Sequence, residues 1–294
     1  MNIPNTLMLF KQFLFNTARA VAPERVKRFY AFVKNGKQDK QGKQDEQDQC
    51  YYCPVCETRL SHFNPMPMWY LKKLDEYGYV HSIFAAETFN LFNYECPSCN
   101  APDRDRLYAL YLGQRLATLD DTKKYEFRDF GPHEALAEAI KSYPFLNYRS
   151  ADLFKDNVDD KVDITNMPIY EDDSIDIFIC SHVLEHVEDD RKAIAELYRI
   201  LKPGGWGIVM VPIVLTLSEI HEDPSLNESE RCKYYGQESH VRMYSKQGFV
   251  QRLEHSGFKV NQFGISYFST GIFEKYGIHP RSVLYVVEKP VGCR

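Results

Sequence analysis

The sequence predicts an α/β fold in which helices cover both faces of a mostly parallel sheet. Residues 175–180 have the length and apolar composition of a buried strand, and they run directly into a polar turn at 182–186. A helical pattern, a Lys-Pro-Gly-Gly turn at 202–205 and another apolar segment at 207–211 follow. This order of elements is a parallel βαβ unit. From residue 104 onward such patterns alternate, which predicts helices on both faces of the sheet.

The other elements follow from local patterns. Residues 104–116 predict a helix, because their apolar residues fall on one side. Asp189 and Asp190 favour a helix start, since acids complement the positive end of the helix dipole, and Ser245 can cap another helix. The predicted helices are 104–116, 134–142, 189–201 and 245–256, and the predicted strands are 126–130, 145–150, 175–180, 207–211, 258–263 and 283–288.

Composition places the chain among ordinary globular proteins. It is 44% hydrophobic and 26% charged, and its formal net charge of −5 gives no overall electrostatic reason to expect nucleic-acid binding. No apolar run is long enough to cross a membrane, and no basic segment precedes the apolar N-terminus as in a signal peptide. Together with the clustered cysteines, these features predict a cytoplasmic protein.

The chain is predicted to have four parts. Residues 1–34 have the pattern of a basic amphipathic helix that packs on the protein or on a second subunit, with contact to a membrane surface as the alternative. Residues 35–49 carry no apolar side chain and predict a flexible polar linker. Residues 50–103 form a cysteine-bearing module, and residues 104–294 form the main domain with an insertion at 213–244.

Two Cys-Pro-x-Cys pairs predict a structural zinc site. Cys53 is paired with Cys56, and Cys96 with Cys99. Each spacing lets a tight turn direct both sulfurs at one ion, and four thiolates complete the tetrahedral shell that zinc prefers. Such a shell has no open position, so the ion would not catalyse. Cys50 is spaced to replace one ligand, and disulfides or buried free thiols are the alternative to a metal.

Several motifs resemble those of a known family. They are Asp129-Phe130-Gly131, the His-Val-Leu-Glu-His-Val stretch at 182–187, and Arg-x-Leu-Lys-Pro-Gly-Gly at 199–205. In this order they resemble class I S-adenosylmethionine-dependent methyltransferases. With the cysteine pairs, they look like a bacterial group of zinc-bearing, type-11-like methyltransferases. The resemblance covers residues 53–288 and implies a Rossmann-like, doubly wound sheet of seven strands that binds S-adenosylmethionine at the carboxyl ends of its strands.

The resemblance implies a cofactor site spread over successive strand ends. Asp129 and Gly131 match the acid and the first glycine of the family's loop, whereas His133 replaces a later glycine. Asp152 would accept hydrogen bonds from the ribose hydroxyls, and Asp163 would accept one from the adenine amino group. The implied cofactor-binding residues are Asp129, Phe130, Gly131, Asp152, Leu153, Asp163, Ile164, Ser181, His182 and Val183.

The turn at 182–186 also matches the H-x-x-E-H signature of a zinc peptidase class. That chemistry needs both histidines on a regular helix, whereas this stretch directly follows a buried strand, so we favour the methyltransferase interpretation. In that interpretation His182 lies beside the methyl group of the cofactor, where it either removes a proton from the acceptor or only shapes the pocket. Glu185 and His186 are expected to fix the turn by hydrogen bonds.

The insertion at 213–244 is the predicted substrate side. Long insertions at the ligand end of a sheet often form lids or substrate loops. His240, Arg242 and Tyr244 alternate as on one face of an extended segment, a pattern that suits a polar or anionic acceptor. Glu222, His240, Arg242 and Tyr244 are the predicted acceptor-binding residues, and His240 is a second candidate base. A solvated edge is the alternative.

The sequence therefore predicts the transfer of a methyl group from S-adenosylmethionine to a small or polar acceptor that it does not identify. A zinc-ribbon RNA methyltransferase is one alternative, which Arg104, Arg106 and the basic N-terminal helix would support. A binding protein that has the fold without turnover is the other, which the incomplete glycine loop suggests.

Overall fold

The computed structural model describes residues 51–292. This part of the chain contains one seven-stranded sheet and two short two-stranded sheets. The helix predicted over 1–34, the linker predicted over 35–49 and Cys50 lie outside the described residues. The predictions made for those segments therefore stay predictions.

The secondary structure agrees with most of the predicted elements. The strands are, in chain order, β1 (Tyr51–Cys53), β2 (Thr58–Leu60), β3 (Tyr125–Phe130), β4 (Leu146–Asp152), β5 (Asp160–Lys161), β6 (Ile175–Ser181), β7 (Leu201–Met210), β8 (His221–Glu222), β9 (Arg242–Met243), β10 (Lys259–Phe263) and β11 (Leu284–Glu288). The helices are α1 (Met68–Glu76), α2 (Asp103–Leu116), α3 (Glu134–Lys141), α4 (Asp190–Ile200), α5 (Glu228–Tyr235), α6 (Lys246–His255), α7 (Ile265–Phe268) and α8 (Thr270–Lys275). Single 3-10 turns lie at Ile83–Ala85 and Leu184–His186. The predicted insertion at 213–244 thus contains its own helix and the small β8–β9 sheet.

The central sheet has the strand order β10-β11-β7-β6-β3-β4-β5. Strands β3 to β7 pair in parallel, whereas β11 is antiparallel to both β7 and β10. The chain places β4 on one side of β3 and β6 on the other, so the strand order reverses at β3. Doubly wound sheets bind ligands outside the carboxyl ends of the strands at such a point. The predicted seven-stranded, mostly parallel sheet is confirmed.

Strand β7 begins earlier than predicted. It starts at Leu201, because Leu201 already pairs with Ile175, and the pairing resumes at Trp206 with Ile177 after an irregularity. The intervening residues bulge through the Pro-Gly-Gly turn without ending the strand. Strand β5 was not predicted, since its two residues are too few to produce a pattern.

Strand β6 lies at the centre of the core. Residues 177–180 are all buried, as expected for a strand covered on both faces. The buried face of α4 belongs to the same apolar cluster. This helix begins where Asp189 accepts a hydrogen bond from the backbone N–H of Lys192 at 3.0 Å, which satisfies a donor of its first turn.

One buried arginine connects the segment that contains the cysteine pairs to the chain that follows α8. Arg106 of α2 is fully buried, and its central carbon lies 3.8 Å from the centroid of the Phe63 ring. Because its donors are used inside the protein, Arg106 cannot contact a nucleic-acid phosphate. Arg106 therefore does not support the alternative of an RNA methyltransferase. Its partners are the backbone carbonyls of Asn93, Tyr94, Ala101, Tyr276 and Gly277.

Candidate functional site

Strand β3 ends in a tight glycine turn. Gly131 has a φ of +74°, a conformation that other residues rarely adopt. A methyl group on its Cα would lie 2.8 Å from Cγ2 of Val183 and 3.5 Å from the carbonyl oxygen of Ser181. The loop after β3 is therefore in close contact with the loop after β6. The structure thus brings together three of the predicted cofactor-binding residues.

Asp129, near the end of β3, is a buried carboxylate. Tyr148 donates a hydrogen bond to its Oδ2 at 2.9 Å. Burial raises the pKa of Asp129 to about 7, and the negative charge of Asp105 contributes to that rise, whereas the hydrogen bond from Tyr148 opposes it. A cationic ligand would favour the charged carboxylate. The side chain of Phe130 is buried in the core, where its ring contacts Phe178.

Helix α2 contributes residues to this edge of the sheet that the sequence did not assign to it. Oδ2 of Asp105 lies 2.9 Å from Nδ1 of His133, in the loop after β3. The hydroxyl of Tyr108 lies 2.9 Å from Oγ of Ser181. The signal available in the sequence was the Arg-Asp-Arg motif at 104–106, but no local pattern places this helix beside the strand ends.

Asp152, at the end of β4, is held by its own turn. Its Oδ1 accepts hydrogen bonds from the backbone N–H groups of Phe154 at 2.8 Å and Lys155 at 3.0 Å. Its Oδ2 lies 4.0 Å from Nζ of Lys155, beyond hydrogen-bonding distance, and can therefore accept from a ligand. Leu153 and Phe154 expose apolar side chains beside it.

The predicted adenine-side segment forms another turn. Oδ1 of Asp163 accepts hydrogen bonds from the backbone N–H and from the hydroxyl of Thr165, each at 2.8 Å. Asp163 is exposed and therefore accessible to a ligand, whereas the side chain of Ile164 is buried in the core. Of the two predicted residues, only Asp163 presents its side chain to solvent.

His182 directly follows β6 in an uncommon backbone conformation. Its φ is +56°, which costs free energy in a residue with a side chain. Its Nδ1 lies 3.0 Å from Oε1 of Glu185. Burial, and then the positive charge of Arg104, lower the pKa of His182, although Glu185 acts in the opposite direction. A neutral imidazole oriented by a carboxylate can accept a proton at neutral pH.

Glu185, His186 and His240 form a group that we call the Glu-His-His cluster. One potential ligand atom from each residue lies within 4.8 Å of the others. Nδ1 of His240 donates a hydrogen bond to the carbonyl oxygen of Tyr235 at 2.9 Å, and its ring packs edge-on against that of His186. Burial lowers the pKa of His240 to about 4. The sequence predicted His240 as a base or acceptor contact but not this grouping.

Arg242 and Tyr244 were predicted to bind the acceptor, and the structure instead places them to hold the turn that follows β6. Arg242 is 3% exposed, and Tyr244 is fully buried and donates to Oδ2 of Asp190 at 2.5 Å. His240 is buried as well, so none of these three side chains is exposed to solvent. Arg242 donates to the backbone carbonyls of Leu184, Val187 and Glu188.

Glu222, the fourth predicted acceptor ligand, is engaged by two arginines. It accepts a hydrogen bond from Arg242 at 3.2 Å and another from Arg252. Burial acts to raise the pKa of Glu222, but the hydrogen bonds and positive charges of these arginines outweigh it, so the pKa is lowered. Glu222 therefore balances the charge of the arginines.

The four predicted zinc ligands come together. The sulfurs of Cys53 and Cys99 are 3.8 Å apart, as are those of Cys56 and Cys96, and all four lie within 4.8 Å of one another. A tetrahedral shell with zinc–sulfur bonds of about 2.3 Å separates its sulfurs by about 3.8 Å, whereas a disulfide needs about 2 Å. The hydrogen bond between the thiols of Cys53 and Cys99 lowers the pKa of Cys53 to about 5 and raises that of Cys99, so in the absence of a metal the two sulfurs share a proton.

Comparisons with known proteins identify similar sequences. A family model described as a methyltransferase domain matches residues 142–209, from the residue after α3 into β7. A ubiquinone/menaquinone biosynthesis C-methyltransferase of Haemophilus ducreyi is 30% identical over 113 residues, which are 33% of this chain and 43% of that protein. A probable S-adenosylmethionine-dependent methyltransferase of Mycolicibacterium smegmatis is 27% identical over 113 residues, 38% of this chain and 40% of that protein.

The chain thus spans less than half the length of these two relatives.

Among solved structures, a SAM-dependent methyltransferase of Archaeoglobus fulgidus matches 63% of this chain and 94% of its own, at 14% identity and a TM-score of 0.41. Within residues 51–292, no helix has the length and apolar character needed to cross a membrane. The segment that is similar to methyltransferase domains contains β4, β6 and the polar turn at 182–186.

Proposed function

We propose that the protein is an S-adenosylmethionine-dependent methyltransferase that acts on a small or polar acceptor. The observation that carries this proposal is the position of Asp129, Gly131 and Asp152, which lie at the carboxyl ends of adjacent parallel strands where the strand order reverses. The methyltransferase-domain match over 142–209 supports it, because that segment includes Asp152 and the turn at 182–186.

The charges at this edge suit the cofactor. S-adenosylmethionine supplies an activated methyl group on a cationic sulfonium, and its amino group is also cationic. The carboxylates of Asp129 and Asp105 would attract the amino group, since an opposite charge favours the ionised carboxylate. Oδ2 of Asp152 would accept from a ribose hydroxyl. Leu153 and Phe154 expose apolar surface that would cover the adenine ring.

The reaction that we infer is an in-line displacement. A nucleophilic atom of the acceptor forms a bond to the methyl carbon, the carbon–sulfur bond breaks, and its electron pair stays on sulfur. His182 is the candidate base, because Glu185 holds its Nδ1 and leaves Nε2 to receive the acceptor's proton. Because the sulfonium is already activated, the protein mainly contributes alignment and exclusion of water.

Calorimetric titration with S-adenosylmethionine and S-adenosylhomocysteine tests this proposal. We expect Asp152→Asn to weaken binding at least about tenfold, because one hydrogen bond to a charged group is worth about 1.5 kcal/mol or more. Asp156→Asn is the matched control, since Asp156 lies in the same loop, is fully exposed and pairs with Lys161. Failure of the folded wild type to bind either nucleoside would contradict the proposal, and binding without transfer to any acceptor would indicate a binding protein.

We also infer that the four clustered cysteines hold a structural Zn²⁺ ion. Their sulfur separations fit a tetrahedral shell, and four thiolates leave the ion no open position for chemistry. Metal analysis should find zinc that Cys96→Ser removes. Because such thiols persist where reductants keep them reduced, we propose the cytoplasm as the compartment.

A further inference from the structure

The Glu-His-His cluster has no role in the binding of S-adenosylmethionine proposed above. Glu185 and His186 belong to the 3-10 turn after β6, and His240 comes from the insertion, just before β9. We propose that this cluster binds a divalent transition-metal ion and leaves part of its coordination shell open to a ligand.

The carboxylate of Glu185 is the strongest indication of a cation. Its side chain is 1% exposed, and its Oε1 is engaged by His182. Its Oε2 is also buried and has no hydrogen-bond partner among the residues that the structure describes. A buried charged oxygen without a partner is costly, and native structures rarely leave one unsatisfied. A cation among the three ligand atoms would satisfy it.

His240 is oriented as metal-binding histidines usually are. Its Nδ1 donates to the carbonyl oxygen of Tyr235, so in the neutral ring Nε2 carries the free lone pair. Histidines that bind metals commonly donate their other nitrogen to such a carbonyl, which fixes the orientation of the ring. His182 is an equivalent outer partner for Glu185. His186 is exposed, with its ring centroid 4.7 Å from that of His240.

The two segments that supply the ligands are tied together by hydrogen bonds. The backbone N–H of Val241 donates to the carbonyl oxygen of Glu185 at 2.9 Å, and Arg242 donates to that of Leu184 at 2.7 Å. The positive charge of Arg242 is itself balanced, because Glu222 lies 3.2 Å and Asp190 3.7 Å from its Nε. The two backbone segments are therefore joined without a metal, and the neighbouring charge is compensated.

The ligand types define the class of metal. Two imidazole nitrogens and one carboxylate oxygen suit zinc, iron, cobalt or manganese as divalent ions better than calcium or magnesium. Three protein ligands leave at least one position open, as in catalytic rather than structural zinc sites. In the methyltransferase that we propose, an oxygen of the acceptor would occupy that position and become easier to deprotonate. This last step rests on the proposed function, whereas the metal site does not.

Cobalt is a suitable probe, because its absorption reports the ligand type. The full-length protein is first supplied with one equivalent of zinc, which thiolates bind preferentially, and Co²⁺ alone is then titrated. Bound by imidazole and carboxylate, Co²⁺ shows weak visible bands without the intense sulfur-to-metal absorption of a thiolate site. We expect the wild type to bind one Co²⁺ per chain with such a spectrum.

Two variants and one matched control test the assignment. His240→Gln and Glu185→Gln should each weaken Co²⁺ binding at least about tenfold, because each removes a ligand while keeping similar volume. His255→Gln should bind as the wild type does, since His255 is an exposed helix residue that contacts the backbone of Gln251. Circular dichroism and thermal unfolding establish that each variant is folded.

Absence of Co²⁺ binding by the wild type would overturn the proposal, as would unchanged binding by both folded variants. The wild-type spectrum requires no variant, so the proposal stays falsifiable if the variants do not fold. S-adenosylhomocysteine binding, measured on the same samples, separates the two proposals. Metal binding without nucleoside binding would refute the methyltransferase and support the metal site, whereas the reverse result would refute the metal site alone.

Discussion

The cysteine cluster and the Glu-His-His cluster differ in how the chain assembles them. Two Cys-Pro-x-Cys turns supply four sulfurs that surround one point, whereas the other cluster takes two ligands from one turn and a third from the distant insertion. A shell of four thiolates is closed, while two histidines and a carboxylate leave room for a ligand. We therefore expect loss of the proposed zinc ion to affect folding, and loss of the ion proposed at the Glu-His-His cluster to affect chemistry.

The largest expected effect tests this contrast directly. Cys96→Ser should lower the free energy of unfolding by about 4 kcal/mol or more, because metal binding at a closed site contributes to folding. His186→Gln, an exposed change in the other cluster, should alter it by less than about 0.5 kcal/mol. Urea unfolding measures both. Cys232→Ala is the control, since Cys232 is buried but lies outside the cysteine cluster. If Cys232→Ala lowered the free energy of unfolding as much as Cys96→Ser does, that result would contradict a structural metal at the cysteine cluster.

The next effect concerns the hydrogen bonds that hold the Glu-His-His cluster in place. Arg242→Ala should destabilise the protein by about 3 kcal/mol, because it removes a buried charge with several hydrogen bonds and leaves backbone carbonyls without partners. It should also weaken Co²⁺ binding, since the segment that carries His240 loses its anchor. Arg59→Ala, an exposed change in β2, is the control for thermal unfolding. A stable variant with unchanged Co²⁺ affinity would show that Arg242 does not position the cluster.

Two buried carboxylates at the carboxyl ends of the strands differ in the direction of their pKa shifts. The pKa of Glu185 is lowered, because His182 and neighbouring histidines outweigh the effect of its burial, whereas burial raises that of Asp129 to about 7. Folded Asp129 thus binds a proton more tightly than unfolded Asp129, whose pKa is about 3.9. Its contribution to stability is present at low pH and declines as the pH rises through about 7.

Asp129→Asn removes this dependence. The stability of the variant relative to the wild type should rise by about 2.5 kcal/mol from pH 5 to pH 8, because each of the roughly two pH units between 5 and the folded-state pKa of about 7 contributes about 1.4 kcal/mol. Urea unfolding without nucleoside at both pH values measures the difference, with Asp156→Asn as the exposed control. A constant difference between variant and wild type across this range would disprove the raised pKa of Asp129.

The smallest effect concerns a single hydroxyl group. Tyr244→Phe should cost about 1.5 kcal/mol, because it removes a buried hydrogen bond to Asp190, which keeps its contact with Arg252 at 2.5 Å. Tyr77→Phe, a partly exposed change after α1, should cost less than about 0.5 kcal/mol by thermal unfolding. Equal costs would mean that this hydroxyl contributes nothing to holding the turn.

Local patterns predicted the parts of the fold that have local causes. Strand β6 was evident because residues 177–180, which are covered on both faces, are all apolar. The start of β7 at Leu201 was not evident from the sequence, because the pairing of Leu201 with Ile175 depends on an irregularity in the strand and not on apolar periodicity. Arg242 shows a second limit of prediction from sequence. Whether an arginine is buried or exposed depends on the packing of distant segments, so the sequence did not reveal that Arg242 is buried.

The sequence by itself determined the order of strands and helices, the cysteine pairs and the acids at the strand ends. Each of these depends on residues that are neighbours in the chain. Only the tertiary structure decided that Asp105 of α2 contacts His133, and that His240 packs against His186. Those contacts join segments far apart in the chain. They depend on packing angles and loop paths, which are set by the burial of the whole core and not by any local pattern.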